Sequence, residues 1–275
     1  MLQMVQKQRK IMSRLGGRKL LELIQPELPE ELYLGRDLFF EFLRERNLLI
    51  RKKRYRTRTT FSNHWLRKYP NLIKGFTPER ANQLWVSDIT YIVTAEGFGY
   101  LSLITDAYSR KIIGWALGDD PKAEHTIKAL EMALKQLPKG IRNLYHHSDR
   151  GVQYCCAEYV KILKKNHIQI SMTENGDPLE NAIAERVNGI LKDEWLNQMK
   201  LETRSEARSQ LEQIIKIYNE VRPHSSLDMK TPKAAHGMEG KLKIRWKNYY
   251  KRKNDINEKE KINSFIEPNK AMATR

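Results

Sequence analysis

The order of apolar and polar positions divides the chain into a helical beginning, a strand-rich middle and a polar end. Near the start, apolar residues recur at helical spacing, so Val5–Leu15 and Arg18–Ile24 read as helices, broken by Pro26-Glu27-Leu28-Pro29. A third helix is expected over Arg36–Arg46, with Leu38, Phe39, Phe42 and Leu43 forming one core stripe. From Gln83 the period changes. Leu84–Thr94, Tyr100–Asp106 and Lys111–Leu117 are rich in β-branched and aromatic residues, with turns at Glu96-Gly97-Phe98-Gly99 and at Ser109-Arg110. A helix over Ala123–Leu137, a buried strand over Asn143–Ser148, a helix over Glu158–Asn166 and a short strand over His167–Ser171 follow. Thr173–Pro178 is a polar loop, and Leu179–Gln198 and Thr203–Asn219 read as two longer helices. A three-strand meander followed by alternating helices and strands predicts an α/β fold, a mixed five-stranded sheet flanked by helices.

Charge adds to that division. The 275 residues carry a formal net charge of +17, yet residues 83–240 hold 20 basic and 21 acidic side chains. The excess lies in the flanks, with 19 basic against 8 acidic over residues 1–82 and 11 against 4 over residues 241–275. Arg51, Lys52, Lys53, Arg54, Arg56 and Arg58 form one acid-free block, and Lys241–Lys253 forms another. Such blocks suit a polyanion, because each phosphate they neutralise releases counterions. A solvated tail is the plainer alternative. The expected division is a helical, helix-turn-helix-like region at 1–50, a basic linker at 51–82, an α/β core at 83–240 and a basic tail at 241–275. No apolar run is long enough to span a bilayer, and Met1–Leu15 is too polar for a signal peptide, so a cytoplasmic, nucleoid-associated protein with no membrane partner is expected. The two cysteines, Cys155 and Cys156, are adjacent, which suits neither a disulfide framework nor a metal knuckle.

Acids inside buried strands call for a reason, because an isolated buried charge is costly unless paired, hydrogen-bonded or bound to a metal. Asp88 interrupts the apolar run Trp85–Ile92, and Asp149 ends the strand Tyr145-His146-His147-Ser148-Asp149. Glu185 lies early in the helix after the polar loop, where Asn181, Glu185, Asn188 and Lys192 share one side and Ile183, Val187, Ile190 and Leu191 the other. Three carboxylates converging at strand ends could hold two Mg²⁺ ions, hard cations that prefer oxygen, and a metal pair serves in-line phosphoryl displacement. Taken singly, Asp88 could cap a turn, Asp149 a helix, and Glu185 could pair with an arginine. Asp106 and Glu180 are the rival acids.

The set as a whole is more specific. Thirty-five residues separate Asp149 from Glu185, and around the acids stand Trp85-x-x-Asp88-Ile89-Thr90-Tyr91-Ile92, His147-Ser148-Asp149-Arg150-Gly151-Val152-Gln153-Tyr154 and Asn181-Ala182-x-x-Glu185. Beyond them comes Tyr218-Asn219-x-x-Arg222-Pro223-His224-x-x-Leu227-x-x-x-Thr231-Pro232. Together these resemble the retroviral-integrase (DDE) superfamily and, within it, the second-frame product of bacterial insertion-sequence-three family transposases. Arg14-x-x-Gly17 and the run from Leu34 to Arg54 are similar to that family's helix-turn-helix segment and basic arm. The stretch Glu174–Glu180 departs from the pattern, lacking the Tyr-Asp that usually precedes the Asn-Ala pair.

The resemblance implies an RNase H-like core in which Asp88, Asp149 and Glu185 are catalytic and hold two Mg²⁺ ions, with Mn²⁺ as a substitute. It implies strand cleavage and strand transfer at the terminal inverted repeats of an insertion sequence. The partners implied are double-stranded DNA, a second copy of the chain or more, and an upstream-frame DNA-binding protein, fused or separate. Lys192 and Asn181 are expected on DNA, together with Arg51, Lys52, Lys53, Arg54, Arg56 and Arg58. The N-terminal part has no His-His-Cys-Cys set, and no zinc is expected. Structural roles are expected for His146 and His147, a DNA-facing or core-closing role for Arg222-Pro223-His224, and base stacking or a short helix for Trp246, Tyr249 and Tyr250. The rival functions are an inactive or domesticated DNA-binding protein of the same fold and a related nuclease without strand transfer.

Overall fold

The structure, a computed structural model, describes residues 1–50, 64–174 and 178–242. The basic block Arg51–Arg58, the stretch 175–177 and the tail from 243 on, with Trp246, Tyr249 and Tyr250, lie outside the described residues. Among the described residues no helix is long and apolar enough to cross a membrane.

Five strands form one mixed sheet: β1 (Leu84–Thr94), β2 (Gly97–Asp106), β3 (Ile112–Gly118), β4 (Tyr145–Ser148) and β5 (Gln169–Met172), in the order β3-β2-β1-β4-β5. The meander β1-β2-β3 is antiparallel, and β4 and β5 add to it in parallel. β1 has the bounds its sequence predicts. β2 starts earlier than expected: Gly97, at φ +107°, already pairs with Thr94, and the Thr94 hydroxyl donates to the Gly97 carbonyl at 2.8 Å, leaving only Ala95-Glu96 for the turn. β4 and β5 start later than expected, because Asn143 and His167 take the left-handed conformation of turns.

The helices are α1 (Leu2–Ile11), α2 (Gly17–Ile24), α3 (Arg36–Glu45), α4 (Ala123–Lys135), α5 (Val152–Cys155), α6 (Ala157–Lys165), α7 (Ala182–Glu194), α8 (Arg204–Glu220) and α9 (Pro232–His236). α4 lies so close on β3 that a Cβ at Gly114 would fall 2.1 Å from the Ala129 carbonyl oxygen, so only glycine fits there. The single helix expected over Leu179–Gln198 is instead α7 with a 3₁₀ turn at each end, Pro178–Asn181 and Leu196–Gln198. Trp195 ends α7 by turning away, and its indole N–H donates to the Ile11 carbonyl at 3.0 Å.

That contact belongs to a wider one. Val5, Met12, Leu15, Leu20, Ile24, Phe39 and Leu43 of the N-terminal region share one apolar core with Val187, Ile190, Leu191 and Trp195, and with Leu211, Ile214 and Tyr218 of α8. Leu38, expected in the buried stripe of α3, is 59% exposed; the stripe that packs is Phe39, Leu43 and, in part, Phe42.

Arg222, just past α8, is fully buried and reads as core-closing, not DNA-facing. Its guanidinium donates to both carboxylate oxygens of Glu194 at 2.7 and 2.6 Å, and to His224 Nε2 at 2.8 Å. A bidentate pair out of water is tolerable only while both partners are present, since one alone leaves an uncompensated charge. Arg222→Ala is therefore expected to lower the unfolding free energy by about 3–5 kcal/mol in urea denaturation. An unchanged midpoint would show that the pair contributes nothing.

Candidate active site

The sheet register aligns the first two acids. β1 and β4 run parallel with Val86 beside His147, so two residues further along both strands come Asp88 and Asp149, at the level where β4 has just ended. Both carboxyls are half-buried. Asp88 Oδ1 accepts from the Ile89 N–H at 3.0 Å, and its Oδ2 accepts from Asn188 Nδ2 at 2.8 Å. Asp149 Oδ1 accepts from the Gly151 N–H at 3.0 Å, at the start of α5. Asn188 follows Glu185 by three residues on α7, so the bond to Asp88 turns the face carrying the exposed Glu185 toward the two aspartates.

The charges report the same convergence. Burial, then the neighbouring Asp149 charge and, more weakly, Glu185, push the Asp88 carboxyl up to about 7 against the hydrogen bonds from Asn188 and Ile89. Like charges so placed suit a divalent cation, and an all-carboxylate set suits a hard one. The three do not close into a single ligand shell. Among the described residues, the group of three metal-binding side chains whose ligand atoms all lie within 4.8 Å of one another is Asp119, Asp120 and His125, at a different place. Carboxylates serving two ions about 3.5–4 Å apart need not meet so closely.

The other predicted residues divide. Asn181 is buried and not on the open surface where a DNA contact was expected: its Nδ2 donates to the Ser87 carbonyl at 3.0 Å and ties the start of α7 to β1, while its Oδ1 is buried without a hydrogen-bond partner among the described residues. Lys192 is half-buried, with Nζ 4.0 Å from the centroid of the Tyr91 ring. Burial lowers its pKa and the nearby Asp88 charge raises it, with a net lowering. Arg51, Lys52, Lys53, Arg54, Arg56 and Arg58 lie outside the described residues.

His146 and His147 are structural, as expected. The Ser87 and Tyr159 hydroxyls both lie 2.8 Å from His146 Nε2, and the Ser171 hydroxyl lies 2.9 Å from His147 Nδ1. Burial holds both rings neutral, pushing His146 down to about 3 and His147 to about 4. The rival acids are also spoken for. Asp106 is fully buried and accepts from the Asn82 N–H, the Ser109 N–H and the Ser109 hydroxyl. Burial pushes its pKa up, but His236 and these hydrogen bonds outweigh it and hold the carboxyl below its usual value. Glu180 accepts from the Glu174 N–H at 2.7 Å and so closes the polar loop. Sequence reading placed Asn188 on the right face without seeing that it holds Asp88, and did not pair Tyr91 with Lys192.

If Asn181 is an anchor, Asn181→Ala is expected to cost about 1–3 kcal/mol of stability in urea unfolding, the cost of leaving the Ser87 carbonyl unpaired in a buried place. Unchanged stability with weakened DNA binding would restore the DNA-contact reading.

Residues 78–178 match an integrase core domain family, and residues 166–232 match a second family described in the same words. The chain is 40% identical over 215 residues to the uncharacterized 31 kDa protein of insertion element IS600 from Shigella sonnei, covering 77% of this chain and 78% of that one. It is 35% identical over 185 residues to transposase InsF of insertion sequence IS3A from Escherichia coli (strain K12), covering 66% of this chain and 64% of that one. In fold it is similar to the simian T-cell lymphotropic virus intasome in complex with PP2A regulatory subunit B56 gamma, with a TM-score of 0.50 at 15% identity, over 88% of this chain and 78% of that one. With the integrase core domain and this identity over most of both chains, the protein belongs to the insertion-sequence transposases of the DDE superfamily, which are polynucleotidyl transferases.

Proposed function

We propose that this transposase cuts one DNA strand at the terminal inverted repeats of its element and transfers the freed 3′-OH to a second phosphodiester, with Asp88, Asp149 and Glu185 as the ligands of two Mg²⁺ ions that Mn²⁺ can replace. The observation that carries the reading is that the parallel pairing of β1 and β4 sets Asp88 and Asp149 at one level, with Asn188 of α7 bonded to Asp88 so that the face of Glu185 turns toward them; the raised Asp88 carboxyl agrees with acids gathered there, which a divalent cation would relieve. Bound there, the ions would supply Lewis-acid stabilisation of the oxygens that attack and leave phosphorus.

The protein's own groups set the geometry. The Ile89 N–H and Asn188 hold the two oxygens of Asp88 in fixed directions, and the Gly151 N–H does the same for Oδ1 of Asp149. Asn181 keeps the helix that carries Glu185 on β1. Lys192, on the Tyr91 ring and beside Asp88, is placed to meet a phosphate near the cut. In cleavage, water adds to phosphorus as the bond to the 3′ oxygen breaks, leaving a 3′-OH and a 5′-phosphate. In transfer, that 3′-OH displaces the 3′ oxygen of another phosphodiester. No covalent enzyme intermediate is needed, and the buried Cys155 thiol, pushed up to about 11 mainly by burial, is unsuited to form one.

The substrate is duplex DNA, whose backbone the basic blocks at 51–58 and beyond 241 would follow. Two element ends call for at least two copies of the chain. An upstream-frame DNA-binding protein, fused or separate, would supply further contacts with those ends.

The test is cleavage and joining of labelled DNA carrying the inverted repeats beside the gene, in Mg²⁺. Wild type is expected to give 3′-OH nicks and joined ends, Asp149→Asn neither, and Lys192→Ala at least about tenfold less of both. If both wild type and Asp149→Asn shift the DNA while neither cuts, alone or fused to the upstream frame, the protein is a DNA-binding relative without activity. Cut ends that never join would indicate a nuclease.

A further inference from the structure

The acidic group at the end of β3 has a feature that ordinary surface acids lack. The side chain of His125, in the first turn of α4, is 8% exposed, and its Nε2 is buried with no hydrogen-bond partner. Yet three carboxylate oxygens fan around that nitrogen: Asp120 Oδ1 at 3.3 Å, Glu124 Oε1 at 3.3 Å and Asp119 Oδ1 at 3.7 Å. A protonated imidazole would aim its one Nε2–H at a single acceptor. A cation could instead sit among all of them.

The spacing has a scale to compare with. Nitrogen and oxygen donors about 2.0–2.2 Å from a tetrahedral Zn²⁺ stand about 3.3–3.6 Å from one another. The contact of His125 Nε2 with Asp120 falls at that edge length and the one with Asp119, at 3.7 Å, just beyond it, and the ligand atoms of Asp119, Asp120 and His125 all lie within 4.8 Å of one another. The chain makes room for the ring at some cost in sequence freedom: a Cβ on Gly118 would lie 2.2 Å from His125 Cδ2, so only glycine permits this placement. Asp120 is also oriented from behind, since the Lys122 N–H donates to its Oδ1 at 3.0 Å and the Lys122 ammonium pairs with its Oδ2. Supporting bonds of that kind fix a metal-binding carboxylate. The opposing cations are Lys122 and Lys128, the latter 3.9 Å from Glu124; both are mostly exposed and can swing into solvent.

We infer that Asp119, Asp120 and His125 form a divalent-cation site that takes Zn²⁺, with water completing its shell. The site stands apart from the Asp88–Asp149–Glu185 centre and does not depend on the role proposed for it. It differs from the expectation of no zinc, which rested on the missing His-His-Cys-Cys set; these donors come from a strand end and a helix start. Its consequence is local order near the cutting centre. Gln153 Nε2, four residues past Asp149, donates to the Pro121 carbonyl at 2.7 Å, so an ion that fixes residues 119–125 also steadies the segment that carries Asp149.

The test is calorimetric titration of the full chain with Zn²⁺ alone, after chelator treatment, in an Asp88→Asn/Asp149→Asn/Glu185→Gln background that removes the other acid cluster. One equivalent is expected to bind, and His125→Gln and, separately, the exposed Asp119→Asn are each expected to weaken binding at least about tenfold. Co²⁺ in place of Zn²⁺ is expected to show the visible absorption of a tetrahedral site, lost in the same variants. Because Asp119 is exposed, its variant reads out binding even if His125→Gln fails to fold. No saturable binding, or binding that neither variant changes, would leave a plain imidazole–carboxylate cluster and overturn the inference.

Discussion

Three acids, Asp88, Asp149 and Glu185, gather at the open end of the sheet, and several contacts fix the elements that carry them. Their repulsion shows in Asp88, whose carboxyl is pushed up to about 7 by burial and by its neighbours. Left to relax, α7 would tilt and carry Glu185 away. It is pinned at both ends instead: Asn181 bonds to β1 at its start, and Glu194 is held by the buried Arg222 at its finish. Between them, Asn188 bonds directly to Asp88. A helix fixed at three points along its length has little freedom to lower the electrostatic energy by moving, which is what pre-organisation for a cation requires.

The far end of α7 also carries the N-terminal helices. The Trp195 indole donates to the Ile11 carbonyl, the Ser13 hydroxyl donates to the Glu194 carbonyl at 3.1 Å, and the two regions share one apolar core. A load placed on those helices meets the helix that bears Glu185 and Lys192 through packed side chains, without crossing the basic segment at 51–63. In a close-packed interior such a load is transmitted and not absorbed.

Much of this was legible in the chain because it depends on local periodicity. The apolar run of β1 gave its bounds, and an acid in the middle of that run marked Asp88. The mixed five-stranded sheet followed from the count and order of strands. What escaped depends on contacts distant in sequence. Asn181 looked like a DNA-facing residue on a polar helix side, but it is buried, and its Nδ2 donates to β1, 94 positions away in the chain. Leu38 fits the helical stripe, yet α3 has only a narrow buried face and leaves it in solvent. Strand alternation puts Tyr91 and Asp88 on opposite faces, so the stacking of Lys192 on Tyr91 could not be read from spacing. The end of α7 was overrun because nothing local stops the helix at Trp195; a hydrogen bond to residue 11 does.

The titration of Asp88 itself tests the central claim most directly. Its side-chain carboxyl carbon can be followed by NMR in the full chain, first in chelator and then in saturating Mg²⁺. An acid held near two other acids should keep its proton up to pH values near 7 in chelator, and a bound cation, which favours the charged form, should move the midpoint below about 5. If Asp88 titrates near about 4 in both conditions, as a solvated carboxyl does, the three acids do not act as one centre.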